Sequence, residues 1–189
     1  PLDKMVIAVL PGSRKSEINH HSKPLADFIK AYKKQNPDVE IILALNKESD
    51  LLGELKLLSK KISVIYDSTQ QVLASCDMAV VASGTATLEA AILAKPMVVI
   101  YKSNKFSNFI LSNFFLKTKF ISLPNILSQE KIVFELRQNQ VSGKEISEKV
   151  ELTLKNQEVI SDKLSLIRDS LLVTDSNKFS IALREILAK

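Results

Sequence analysis

The chain has 189 residues, 46% of them hydrophobic and 25% charged, with only four glycines and six prolines, which excludes a disordered or fibrous protein and suits one globular domain with a sizeable core. Its net charge of +5 and pI near 9.2 favour an acidic partner without choosing among a phosphorylated ligand, an anionic membrane surface and nucleic acid. The single Cys76 excludes an intramolecular disulfide, and no apolar run reaches the roughly 18 residues of a membrane span, so a soluble or peripheral protein of a reducing cytoplasm is expected.

In chain order, Pro1-Leu2-Asp3-Lys4 stands just before the first strand without an initiator Met, and a domain of a longer protein is expected. Met5-Val6-Ile7-Ala8-Val9 reads as a strand, and Leu10-Pro11-Gly12-Ser13-Arg14-Lys15-Ser16-Glu17 as a turn entering a helix. Arg14 and Lys15 there oppose the helix dipole by roughly 0.3–1 kcal/mol each, so either solvent screens them or a bound anion compensates. The helix runs over 17–35, with Leu25, Phe28, Ile29 and Tyr32 on one face and Pro24 as a kink or restart. His20 and His21, adjacent and without a Cys or acidic cluster at ligand spacing, predict no metal site. A strand over 39–45, a helix over 49–60 and a short strand over 62–66 follow, and Asp67 or Ser68 is placed to cap the next helix.

Asp77 leads into the apolar run Met78-Ala79-Val80-Val81 and then into Ala82-Ser83-Gly84-Thr85-Ala86-Thr87-Leu88-Glu89, a second strand, glycine turn and helix. Such a turn leaves unpaired backbone N–H groups beside the positive end of the helix dipole, an arrangement suited to an anion. Thr85 and Glu89, four apart, share a helix face, and Glu89 either serves a ligand or merely complements the dipole. Two glycine turns, each after a strand and before a helix, would open on one edge of a parallel sheet, where open α/β folds bind ligands. There is no Walker lysine and no G-x-G-x-x-G, which argues against an ATPase or an ordinary dehydrogenase.

Residues 96–101 predict another strand, 120–123 a short one ending in Pro124-Asn125, and 129–138 a helix that Ser142-Gly143 breaks. Helices over 144–155, 157–171 and 176–188 complete the chain, the last capped by Asp175 or Ser176. The alternation implies an α/β fold, a Rossmann-like three-layer αβα arrangement with a parallel sheet, followed by a helical tail. The stretch 104–117 sets Phe106, Phe109, Ile110, Leu111, Phe114, Phe115 and Leu116 among Lys102, Lys105, Lys117 and Lys119. That pattern fits either a helix lying in a membrane interface or one packed into a core or against another domain.

Four pieces, Leu10-Pro11-Gly12-Ser13-Arg14, Ala82-Ser83-Gly84-Thr85-Ala86-Thr87-Leu88-Glu89, Lys95-Pro96-Met97-Val98-Val99-Ile100-Tyr101-Lys102 and Ser122-Leu123-Pro124-Asn125, occur in the order and spacing of the lipid-A-disaccharide synthases. The chain resembles the carboxyl-terminal half of that glycosyltransferase from Met5 to about Gln138. It departs at Gln129-Glu130, where the family often has Gly-Arg, and at Phe134, where Pro is common.

The resemblance implies a GT-B enzyme of two facing Rossmann-like domains, of which this is the nucleotide-binding half. It implies transfer of a diacylated glucosamine from UDP to diacylglucosamine 1-phosphate with inversion and with no metal or other cofactor. Arg14 would then pair with the diphosphate and stabilise departing UDP, while Gly12, Ser13, Ser83, Gly84 and Thr85 present N–H groups and hydroxyls to it. Glu89 would accept from ribose hydroxyls, and Asn125, Glu135 and Gln138 would lie at the donor, the last two on one helix face. The general base is expected in the other, amino-terminal domain. The implied partners are the two lipid substrates, that domain and the cytoplasmic face of the inner membrane. Residues 1–143 are expected to form the UDP-sugar-binding domain, and 144–189 a tail packed on it and on the amino-terminal domain.

Rival readings are a different UDP-sugar glycosyltransferase or epimerase of the same architecture, a non-catalytic interaction domain that retains the fold, and a basic nucleic-acid-binding module. The last is disfavoured because the lysines are scattered rather than forming one stripe with interleaved aromatics.

Overall fold

The computed structural model describes residues 4–103 and 119–173. Six parallel strands form one sheet: β1 (Val6–Leu10), β2 (Glu40–Leu45), β3 (Ser63–Tyr66), β4 (Met78–Ala82), β5 (Met97–Tyr101) and β6 (Phe134–Arg137), in the order β3-β2-β1-β4-β5-β6. The register pairs Ile7 with both Ile41 and Met78, which sets the ends of β1 and β4 side by side.

Both faces of the central strands are buried, so these strands read as continuous apolar runs. Along β1 and β4, Ile7, Val9, Met78, Val80 and Ala82 point to one core and Ala8, Leu10, Ala79 and Val81 to the other. Helices α1 (Lys15–Gln35), α2 (Gly53–Leu58) and α6 (Gly143–Lys155) cover the first core with Leu25, Phe28, Leu55 and Val150. Helices α3 (Thr69–Ser75), α4 (Ala86–Ile92) and α7 (Gln157–Val173) cover the second with Leu73, Ala90 and Leu164, and α5 (Leu123–Ser128) lies against α4 and α7. The result is the three-layer αβα fold expected from the alternation of elements. Cys76 is buried between α3 and β4, and burial pushes its thiol up to about 11.

Helix α6 approaches α1 at Gly143, where a Cβ would stand 2.8 Å from Asp27 Cβ and 2.8 Å from the Phe28 nitrogen. Ser142 caps α6 by accepting from the Glu145 N–H at 3.2 Å. Farther along, Tyr32 Oη donates to Glu151 Oε1 at 2.7 Å, and burial together with that carboxylate raises the phenol's pKa.

Several local expectations are corrected. The helix expected over 49–60 is a 3-10 turn at Glu48–Asp50 followed by α2, because Leu51 and Leu52 are extended and Gly53 has φ 54°. Ser22, reaching from α1, then donates to Leu52 O and accepts from Leu55 N–H, serving the start of α2. Helix α1 is unbroken through Pro24, which is buried. Ser68 stands at the N-cap of α3 but makes no side-chain cap bond.

The strand expected over 120–123 is a turn leading into α5, so Pro124 and Asn125 lie in a helix. The helix expected over 129–138 is instead the edge strand β6, paired through Val98↔Phe134 and Tyr101↔Arg137, with Gln138 opening a 3-10 turn. Glu135 and Gln138 therefore do not share a helix face. The stretch 104–117 and the helix expected over 176–188 lie outside the described residues.

Candidate functional site

Strand order runs away from β1 through β2 on one side and away from β4 through β5 on the other, leaving a crevice at their C-terminal ends. A cavity of about 610 Å³ occupies it. Gly12, Ser13, Arg14 and Glu17 line one wall, Ser83, Gly84, Thr85 and Glu89 the opposite wall, and Asn46, Asp67 and Gln70 its far end.

Each wall is a strand running straight into a helix. Gly12 has φ 120°, a conformation that other residues rarely adopt, and a Cβ there would press on Glu17 Oε2 at 2.9 Å. At Gly84 a Cβ would meet nothing within 4 Å, so this backbone faces open space. Arg14 and Thr85 are the N-cap residues of α1 and α4, and neither caps its helix with its side chain. First-turn N–H groups of α1 are thereby left for another acceptor, whereas in α4 the Thr87 and Leu88 N–H groups already donate to Gly84 O and Thr85 O at 3.1 and 2.9 Å. Arg14 Nη1 donates to Glu17 Oε1 at 2.8 Å while its side chain stays 79% exposed. The site thus combines a positioned guanidinium, hydroxyls, two helix starts and the Glu89 carboxylate, a set suited to an anionic ligand bearing hydroxyl groups.

Seven expected residues, Gly12, Ser13, Arg14, Ser83, Gly84, Thr85 and Glu89, are brought together by this cavity; Asn125, Glu135 and Gln138 do not line it. Asn125 is fully buried: its amide donates to Val133 O and Glu135 Oε1 and accepts from Ile132 N–H and Val133 N–H. Glu135 accepts from Ile121 N–H, Ser122 N–H, Ser122 Oγ and Arg137 Nη2 at 2.7–3.0 Å. Burial alone would raise the pKa of this carboxyl, but bonds from Arg137, Ser122 and Ile121 hold it below the ordinary value. The cluster nevertheless reaches the cavity wall, because Ser83 Oγ donates to Ile121 O at 2.7 Å. Gln138 Oε1 accepts from Ser103 N–H at 3.3 Å, beyond the end of β5.

Besides Asn46, Asp67 and Gln70 at the far end, two further groups at or beside the cavity are not among the expected site residues. Glu17 borders the cavity as the partner of Arg14, and the i, i+3 spacing of opposite charges was its sequence signal. His21 is buried, with Nδ1 2.7 Å from Pro11 O and Nε2 accepting from Lys102 N–H at 3.0 Å. Burial lowers its pKa below the ordinary 6.5. No group of three or more metal-ligating side chains occurs among the described residues.

Among solved structures, a spinosyn rhamnosyltransferase complexed with thymidine diphosphate superposes with a TM-score of 0.61 at 14% identity, over 96% of this chain and 45% of that one. The UDP-GlcNAc 2-epimerase of Neisseria meningitidis, bound to UDP-GlcNAc, does so with 0.56 at 14% identity, over 91% and 46%. At such identity the likeness establishes the fold, which is that of one half of a GT-B glycosyltransferase. The lipid-A-disaccharide synthase of Colwellia psychrerythraea is 34% identical over 196 residues, covering 98% of this chain and 49% of that protein. That of Nitrosococcus oceani is 38% identical over 144 residues, 75% and 37% respectively. This chain spans about half the length of the first of these relatives. The sequence profile described as lipid-A-disaccharide synthetase matches residues 1–186, and the chain belongs to that family.

Proposed function

We propose that this chain is the donor-binding half of an inverting glycosyltransferase that joins UDP-2,3-diacylglucosamine to 2,3-diacylglucosamine 1-phosphate, giving lipid A disaccharide and UDP. The observation that carries this reading is the convergence of the Gly12–Arg14 and Ser83–Thr85 turns on one cavity at the ends of β1 and β4, in a chain of this family.

In this reading the diphosphate lies between the two turns, where Arg14 and the N–H groups supply positive potential without a metal. As the glycosidic bond breaks, negative charge grows on departing UDP, and Arg14 exchanges part of its bond to Glu17 for that charge. Ser13 and Thr85 donate to phosphate oxygens, Ser83 holds the wall in place through its bond to Ile121 O, and Glu89 accepts from ribose hydroxyls. Asn125, Glu135 and Gln138 support the walls instead of touching the donor. The general base, the acceptor site and much of the lipid contact belong to a second domain, against which residues 144–189 form a packing tail. Residues 104–117 serve contact with acyl chains at the cytoplasmic face of the inner membrane, where the enzyme is peripheral. No helix among the described residues is long and apolar enough to cross a membrane.

Calorimetric titration of the 189-residue chain with UDP, UDP-N-acetylglucosamine and a short oligonucleotide, each with and without EDTA, tests the reading. Binding of the uridine nucleotides alone, insensitive to EDTA, is expected. Binding that EDTA abolishes, or that only the oligonucleotide shows, overturns it.

A further inference from the structure

The imidazole of His21 stands outside the cavity, and both of its nitrogens meet backbone groups whose roles are fixed. Pro11 O can only accept, and it lies 2.7 Å from Nδ1; Lys102 N–H can only donate, and its nitrogen lies 3.0 Å from Nε2. One state of the ring satisfies both, the neutral tautomer with hydrogen on Nδ1. The other tautomer would set acceptor against acceptor and donor against donor, and the imidazolium would set a donor against Lys102 N–H.

The partners are far apart in sequence, 10 and 81 residues from His21. Pro11 immediately precedes the Gly12–Arg14 turn, and Lys102 immediately follows β5. Because β4 lies between β1 and β5 in the sheet, the ring ties these two strand ends together across the end of the strand that leads into Ser83. Other contacts at the Gly12 turn are weaker restraints, since the Arg14–Glu17 pair is 79% exposed on its arginine side.

We propose that His21 is a positioning residue that, as the neutral Nδ1–H tautomer, holds the Gly12–Arg14 turn at its distance from β5, and that its protonation releases the turn and weakens binding at the cavity. This deepens, and rests on, the reading of the cavity as a nucleotide-sugar site. The charged groups facing the ring are Glu17 and His20 from α1 and Lys102 from the end of β5. Burial above all opposes protonation, as do His20 and Lys102, while the bond to Pro11 O and the Glu17 charge favour it; burial outweighs them, so the neutral form prevails at neutral pH.

Two substitutions separate the halves of the link. His21→Asn retains an amide N–H near the Nδ1 position for Pro11, whereas His21→Gln retains a carbonyl near the Nε2 position for Lys102. Each is expected to bind UDP-N-acetylglucosamine about five- to tenfold more weakly than wild type at about pH 7.5, the equivalent of one hydrogen bond. On acidification below about pH 6.5, wild type should lose affinity progressively, approaching that factor only as the buried imidazole becomes protonated, while neither variant loses more than about twofold. This ligand carries a diphosphate diester, so its own charge is constant over that interval. Nitrogen-15 spectra of the imidazole and exchange of the Gly12–Arg14 amides are recorded alongside. The expected results are an Nδ1–H tautomer and faster amide exchange on acidification. Equal affinity and an equal pH profile in wild type and both variants, or an Nε2–H tautomer, overturns the proposal. If a variant fails to fold, the wild-type spectra and amide exchange decide. Absence of nucleotide binding by wild type at any pH in this range, with the imidazole spectrum as expected and the amides loosening on acidification, refutes the nucleotide reading while upholding the link.

Discussion

At the cavity, the Arg14 side chain is 79% exposed and its guanidinium is shared with one carboxylate, Glu17. Behind the cavity, Asn125 is wholly buried, and the amide donates two hydrogen bonds and accepts two inside the protein. The first arrangement contributes little to folding and leaves its charge available, since a surface ion pair is worth about 0–1 kcal/mol. The second can offer nothing to a ligand without breaking bonds whose loss is costly in a buried setting. Motif residues of one family can therefore divide into those that meet a ligand and those that hold the wall still. Burial and bond count, more than residue type, separate them.

Substitutions should widen or collapse that contrast. The largest effect is expected from Asn125→Ala, which strands the Val133 N–H group, removes a donor from Val133 O and Glu135 and leaves Ile132 N–H only Glu130 O, and should cost about 3–4 kcal/mol in urea unfolding; a loss below about 1 kcal/mol would mean that water replaces the amide freely. Arg14→Ala is expected to leave urea unfolding within about 0.5 kcal/mol of wild type. In a glycosyl-transfer assay of the chain joined to its partner domain, the same substitution should raise the barrier by about 2–4 kcal/mol. Equal damage to stability and turnover would merge the two regions into one.

Glu89→Gln should weaken nucleotide binding by about 1–2 kcal/mol, the scale of a hydrogen bond to a charged group. Deoxyribose analogues that lose affinity with wild type should lose little more with this variant; analogues that bind wild type undiminished would reduce Glu89 to complementing the α4 dipole.

The smallest expected effect is on the pH dependence of folding. His21 has its folded pKa lowered from 6.5, so the unfolded chain binds the proton more readily and stability declines as pH falls below about that value. Glu135 is likewise lowered from 4.5 and adds a second loss at more acidic pH. Urea titrations of wild type and His21→Gln through this range should differ most in the first interval. Identical profiles would show that the imidazole contributes no linkage.

The strands β1, β4 and β5 were legible because burial on both faces demands uninterrupted apolar runs, and the two glycine turns were legible because helices follow them directly. Strand β6 was not: its four residues alternate weakly, and its extended form comes from pairing with β5, more than thirty residues earlier in the chain. Asn125 and Glu135 were recognised as motif residues, but their inward orientation depends on the Ile121–Ser122 backbone arriving beside β6, which no local pattern records. His21 was read only as one half of an unpromising His pair. Its role arises from backbone atoms of Pro11 and Lys102, and backbone partners leave no trace in residue identity.

The buried thiol has a practical corollary. Cys76 is the chain's one cysteine, and with a pKa of about 11 it is ionised at neutral pH in only about one molecule in ten thousand. Maleimide chemistry proceeds through the thiolate, so a cysteine introduced at an exposed position such as Lys23 should take up a fluorophore with negligible background. Wild-type protein then serves as its own unlabelled control, and motions of the turns around the cavity become accessible to fluorescence without first removing a residue from the core.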